Sequence, residues 1–409
     1  VPPSEADITA LTERALALCD GVAQVTAWWE RRLTATAGGA VTTEALTVEI
    51  AVLRDGRVGT AVTTLVGDEE LARAAQGAAR RASGGPAAVE PLPEPAAGRV
   101  HDGFDASILA LEPAEVPAGA AWRAGAARTA IASTRGVRAY EERSFGDLRV
   151  RRSDAAGRSL ELSAASVRPG ELDAAALAAE AEALVGAPRD LVSVGAGEYP
   201  VVLGPWAVAE VLRRAALAFG GPESPFTPHL GARVAASAIN LSDSPRFAAT
   251  LPRSYDAVGA PRQPLPLIQD GVAHRLAGPG TGHALAPGGI GGSVPEHLVL
   301  VGGGAADLGE LAAPVELGLL IPALSVHGAW VLGQRGSALA EGVSVIRDGA
   351  IAEPAPNLTV LFEPLELLAA AQALTARQRT VPPLVQHSAR TAWATVCPGA
   401  RFGGGLFVA

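Results

Sequence analysis

Seven histidines are the chain's whole supply of imidazole: His101, His229, His274, His283, His297, His327 and His387. A catalytic zinc helix normally sets two of them one turn apart with a glutamate between. No two histidines here lie closer than nine residues, and none is followed by glutamate. His274 and His283 flank a Gly-Pro-rich loop at 276–282 and could share a metal only through the fold; loop packing is the plainer role. Ser293 ends the run Gly288-Gly289-Ile290-Gly291-Gly292-Ser293, with His297 four residues on. Together with His283 that grouping invites a serine-hydrolase reading, which needs a base oriented by a third group. The alternative is a glycine loop demanded by backbone geometry. No G-x-S-x-G elbow occurs. Cys397, before Pro398-Gly399, reads as a small buried hydrophobe rather than a nucleophile. Val301-Gly302-Gly303-Gly304 follows an apolar strand but lacks the spacing of a dinucleotide loop. The tandem Trp28-Trp29 sits in a period-two segment, so one ring should face the core and the other a neighbouring element.

Counting removes further chemistries. The 409 residues carry 33 cations, all of them arginine, against 42 carboxylates, a net charge of −9. Without lysine there is no Schiff base, no P-loop cation and no Ser-Lys dyad. Pyridoxal-phosphate enzymes, Walker-type NTPases, protein kinases and Ser-Lys hydrolases are excluded. An acidic chain with scattered arginines suits neither nucleic acid nor an anionic membrane surface. Two distant cysteines, Cys19 and Cys397, build no disulfide framework or Cys-rich zinc site. The opening Val1-Pro2-Pro3-Ser4-Glu5-Ala6-Asp7 is acidic and helix-capping rather than a signal segment. The most apolar stretch, 311–332, is broken by Pro314, Glu316, Pro322 and His327, so no membrane span is expected. The expected location is cytoplasmic.

The elements that must position these groups are α+β. Helical spacing at 10–19 stops at Asp20-Gly21. Period-two strands follow at 22–33, 46–53 and 59–65, the last two joined by the Asp55-Gly56 hairpin. Asp68-Glu69-Glu70 opens a helix to about residue 82. Residues 83–100 read as a linker, residues 113–127 as a helix, 130–167 as two or three strands, and 172–185 as an alanine-rich helix. Tyr199-Pro200 opens a short buried strand. Gly204-Pro205 then leads into an amphipathic helix over 206–219. Beyond Gly220 strands are short and loops long, with a second Asp-Gly hairpin at Asp348-Gly349 and a helix expected over 364–377. The reading is an N-terminal α/β domain, 1–195, with an antiparallel meander and flanking helices. A C-terminal β-rich domain of twisted antiparallel sheets, 196–409, follows.

From Tyr199-Pro200-Val201-Val202-Leu203-Gly204-Pro205 and its helix, the order of elements resembles the TldD/PmbA metallopeptidases, specifically the TldE (PmbA-like) branch. Further pieces match in order. They are Ala238-Ile239-Asn240-Leu241, an Asp-x-x-Gly element at Asp256–Gly259, Leu267-Ile268-Gln269-Asp270-Gly271, the glycine loop at 278–293, and the hairpin stretch at 333–351. The likeness spans essentially the whole chain, in short, degenerate motifs.

The resemblance implies that a catalytic TldD-type subunit holds zinc on a His-Glu-x-x-x-His helix. The matching helix here offers Ala207, Glu210 and Arg214, with no histidine. Neutral imidazoles bind the metal, and an arginine there would repel a dication. The implied protein is thus a non-catalytic TldE-like subunit with no zinc or other cofactor of its own. It would form a heterodimer with a zinc-bearing TldD-like chain and enclose the chamber in which a peptide or small-molecule amide is hydrolysed. Antibiotic biosynthesis is one setting in which such pairs act. Two other readings stand beside it: an autonomous hydrolase with its site near His283, Ser293 and His297, or a homodimeric scaffold that holds peptides without cleaving them.

Overall fold

The computed structural model describes residues 2–85, 116–186, 190–221, 224–284, 294–326, 330–384, 388 and 390–409. Helix α1 (Glu5–Ala17) starts from a reciprocal cap. The Ser4 hydroxyl accepts from the Asp7 amide at 3.2 Å, and the Asp7 carboxylate accepts the Ser4 amide at 2.8 Å. Strands β1 (Val22–Thr36), β2 (Gly39–Arg54) and β3 (Arg57–Thr63) then form the expected meander. Its second turn puts Asp55 and Gly56 at φ 53° and 70°, the left-handed pair that an Asp-Gly hairpin supplies.

Helix α2 (Asp68–Ala82) lies on β3 and buries Leu71, Ala75, Ala78 and Ala82. The approach is close enough that a β-carbon on Gly59 would collide with the backbone of Ala78 and Ala82. Strands β4 (Ala120–Ser133), β5 (Arg138–Ser153) and β6 (Ser159–Ser166) complete an antiparallel six-stranded sheet, ordered β3-β2-β1-β4-β5-β6.

One face of that sheet packs on α1 and α2 around Ile8, Leu11, Trp29, Ile50 and Leu71. Leu148, Val150, Leu160 and Leu162 enter the main core instead, with α3 (Ala174–Val185) and α4 (Pro205–Ala216). The expected helix over 113–127 is corrected by β4. Alanine prefers a helix by only tenths of a kcal/mol per residue over most side chains. Here residues 121–132 gain backbone ladders to both β1 and β5, and small side chains let both faces of the sheet be covered. Tertiary pairing overrides propensity.

The second sheet has thirteen strands. Its continuous path runs through Val272–Ala273, Leu265–Gln269, Leu241–Asp243, Leu298–Leu300, Thr395–Val408, Gly197–Leu203, Leu317–Ile321, Ser344–Arg347 and Ala350–Pro354. Pairings are mainly antiparallel; Leu298–Leu300 with Thr395–Val408 and Gly197–Leu203 with Leu317–Ile321 are parallel. The helix expected over 364–377 ends at Ala369, and Ala371–Val381 becomes a strand on Thr395–Val408. Asp270-Gly271 and Asp348-Gly349 repeat the left-handed hairpin geometry of Asp55-Gly56.

Helix α4 carries the site. Ten of its twelve residues are buried, including Glu210 and Arg213. Its N-terminus is fixed by the Trp206 indole, which donates to the Ser163 carbonyl at 2.7 Å. Among the described residues no helix is long and apolar enough to cross a membrane.

Candidate functional site

On α4 the spacing of three and four residues puts Arg213 and Arg214 over Glu210. The Arg213 guanidinium donates to Glu210 Oε1, and Arg214 Nη2 lies 3.4 Å from Glu210 Oε2. Arg213 reaches further: its second Nη donates to the Val381 carbonyl at 2.7 Å, and its guanidinium lies over the Trp393 ring, 5.3 Å from the centroid. Burial pulls the Arg213 guanidinium down while the Glu210 charge holds it up. Ala207 is fully buried and offers no donor. A cleft of about 510 Å³ opens here, walled by α4, by Val294-Pro295-Glu296 and by Pro383, Leu384 and Trp393.

These residues do not fit a zinc ion. The helix offers one carboxylate, already engaged by two guanidiniums, and no imidazole. Among the described residues no group of three or more His, Cys, Asp or Glu is arranged to hold a metal. Glu210 is salt-bridged and buried, its side chain only 5% exposed.

A second cluster gathers two histidines that the sequence singled out. His283 Nε2 donates to Asp243 Oδ2 at 2.8 Å, and Asp243 Oδ1 accepts the amides of Glu296 and His297 at 3.0 and 2.7 Å. His297 Nδ1 takes a hydrogen bond from Arg262 at 3.0 Å, so its proton sits on Nε2, which has no partner among the described residues. Glu296 bridges Arg262 at 3.2 Å and Arg253 at 3.5 Å.

Burial alone would raise the Asp243 carboxyl, but the His283 hydrogen bond and the Arg262 charge hold it at about 2. Burial and Arg262 push His297 well below the usual imidazole range, so the ring is neutral. Both rings are sealed, His283 at 2% exposure and His297 at 0%, which suits a clamp on strand Leu241–Asp243 better than a base facing substrate. Asp243 was not singled out in the sequence. It ends a strand of three residues, too short for period-two alternation to mark.

The remaining candidates are structural or lie elsewhere. Ser293, with 285–293, and His101, His327 and His387 lie outside the described residues, as does the linker beyond Gly85. His274 N–H donates to the Leu267 carbonyl as part of the β-turn region, and no metal grouping joins it to His283. Burial pushes the Cys397 thiol up to about 12, and its Sγ donates to the Pro205 carbonyl. Gly302 and Gly303 press on the backbone of Leu374–Ala376, a close approach that needs no phosphate. Trp29 is buried with its indole on Glu44 at 2.8 Å, while the Arg390 guanidinium covers the Trp28 ring, 4.5 Å from its centroid.

The Asp-x-x-Gly element is a joint between the two sheets. Asp256 Oδ1 accepts the amides of Val258 and Ala260, both at 3.0 Å, and Oδ2 that of Ala284 at 2.8 Å. Around it the Tyr255 hydroxyl donates to Thr129 on β4 at 2.9 Å, and Gln24 on β1 donates to Ala257 at 2.9 Å. Arg143 on β5 donates to the carbonyls of Leu251, Pro252 and Ala392 at 2.5–2.7 Å.

Comparison with known proteins places this geometry. A family model described as the PmbA/TldA metallopeptidase C-terminal domain matches residues 196–404. The fold is that of TldE from Thermococcus kodakarensis, with TM-score 0.79, 19% identity, and 98% of this chain aligned to 99% of that one. A Thermotoga maritima protein described as a candidate modulator of a DNA gyrase gives TM-score 0.79 at 20% identity, over 98% and 99% of the two chains. No curated protein matches by sequence. With the model covering half the chain, and the strand–α4 unit that first suggested the likeness inside it, the chain belongs to the PmbA/TldD metallopeptidase family.

Proposed function

We propose that this chain is the non-catalytic, TldE-like subunit of a heterodimeric zinc metallopeptidase or amide hydrolase. Its partner would be a TldD-like chain that carries the zinc and the His-Glu-x-x-x-His helix. This chain would wall the chamber, exclude water and shape access for a peptide or small-molecule amide. Natural-product biosynthesis is one setting that suits it. The observation that carries the reading is α4, where Glu210, Arg213 and Arg214 form an ion-paired cluster in place of a metal donor set. Zinc needs neutral imidazoles or free carboxylates, and a guanidinium supplies neither.

Metal analysis of the isolated chain tests this. Purified in the presence of zinc and desalted, it should carry far less than one zinc per chain. Stoichiometric zinc that survives desalting contradicts the proposal.

The contact between Asp243 and His283 favours a second reading, an autonomous hydrolase. The burial of both side chains, and the use of Asp243 to hold two backbone amides, weigh against it.

A further inference from the structure

The cleft beside α4 has an unusual electrostatic balance for a pocket with mostly apolar walls. Glu210 is shared by Arg213 and Arg214, and Glu296 by Arg253 and Arg262. Each carboxylate therefore sits between two guanidiniums, and only Arg213 and Arg214 of the four arginines line the cleft itself. Of these two, Arg214 has fewer partners. Its only ion pair among the described residues is the 3.4 Å contact with Glu210, its Nε is buried without a hydrogen-bond partner, and its side chain is 21% exposed where it lines the cleft. A guanidinium has five N–H donors in a planar fork that matches a carboxylate. Val294, Val326, Leu384 and the Trp393 ring offer apolar surface beside it.

We propose that this cleft binds a carboxylate attached to an apolar body, such as the free C-terminus of a short peptide ending in an aliphatic residue. Arg214 grips the carboxylate, with Arg213 held behind it by Val381 and Trp393, and the aliphatic group rests on the side chains of Leu384 and Trp393. Cations are disfavoured because both wall carboxylates are already neutralised. Neutral amides can fill the apolar part but leave the Arg214 donors unmatched, the situation that gives polar sites their discrimination. This assignment does not depend on the subunit reading: it concerns the isolated chain, and its failure leaves the partnership experiment untouched.

Calorimetric titration of the full chain with acetyl-alanyl-leucine and with its C-terminal amide tests it. The free acid should bind about tenfold or more tightly than the amide, the value of one charge-assisted hydrogen-bond pair. Arg214→Gln should abolish that preference, and Arg214→Lys should keep part of it with an unchanged melting curve. Equal binding of acid and amide overturns the proposal, as does a preference that survives Arg214→Gln, or no binding of either probe. If Arg214→Gln does not fold, acid-to-amide preference in the parent and in Arg214→Lys decides.

Discussion

Glu210→Ala should destabilise the chain by about 3–5 kcal/mol, the cost of removing one partner from a buried ion pair. Glu210 and Arg213 have side chains only 5% and 6% exposed, so their charges have left water. Their mutual attraction and the Val381 carbonyl offset that loss. Without Glu210, Arg213 keeps one carbonyl and the Trp393 face, and Arg214 loses its only ion pair among the described residues. The double replacement Glu210→Leu with Arg213→Leu should recover much of the loss, because apolar side chains of similar size replace buried ion pairs at little cost. Urea unfolding checks both: a lower midpoint with an unchanged slope for the single variant, and a smaller shift for the double. A single-variant loss below about 1 kcal/mol would show that the pair is solvated, and with it that α4 is not locked as described.

The second large effect is on acid stability. His297 is neutral in the folded protein, faced by Arg262, Arg143 and Arg253 on the cationic side and by Asp243 on the anionic. The unfolded chain takes up a proton on this ring near pH 6.5, while the folded one does not until far lower. Below 6.5 the unfolded state therefore binds more protons, so stability falls with falling pH, by about 1.4 kcal/mol per unit. Between pH 6.5 and 5.0 the loss from this one group is about 2 kcal/mol. Asp243 adds a later loss: its carboxyl is depressed from 3.8 to about 2, so its contribution is complete above the upper value and disappears as pH falls through the lower. His297→Asn keeps an acceptor for Arg262 and removes the titration. Its stability relative to the parent, measured by urea unfolding at pH 7.0 and 5.0, should therefore improve by about 2 kcal/mol on acidification. A difference that does not change with pH would mean that His297 titrates alike in both states.

Much of the fold was legible because it rests on local signals. The Asp-Gly dipeptides at 55–56 and 348–349 require positive φ, and the turns are there. The first strand of the meander, the capped α1 and the acidic start of α2 follow from side-chain period and charge. Residues 113–127 and 364–377 misled for one reason: alanine and leucine runs satisfy a helix locally, while a long strand already in the sheet offers more. Residues 121–132 pair on both sides, and 371–381 pair with 395–402.

At the site, α4 and Glu210 could be found from the order of elements, while the pairing of Arg213 and Arg214 with Glu210 emerges from the structure. The convergence of His283 and His297 on Asp243 could not. Forty residues separate Asp243 from His283 and fifty-four separate it from His297, and no local period reports such a contact. The task of Arg143 in tying β5 to segments 251–252 and 392 was equally hidden, because its partners are backbone carbonyls that carry no residue signature.

The proposed role of this chain is to complete another subunit's active site. Reconstitution tests it most directly. This chain and a zinc-bearing TldD-like chain with the His-Glu-x-x-x-His helix are purified apart, and hydrolysis of a mixed short-peptide pool is followed by mass spectrometry. This chain should cleave nothing with or without added zinc, and cleavage should appear when the two are mixed and saturate at equimolar ratio. Zinc-dependent cleavage by this chain alone, or partner activity that is the same with and without it, would rule this role out.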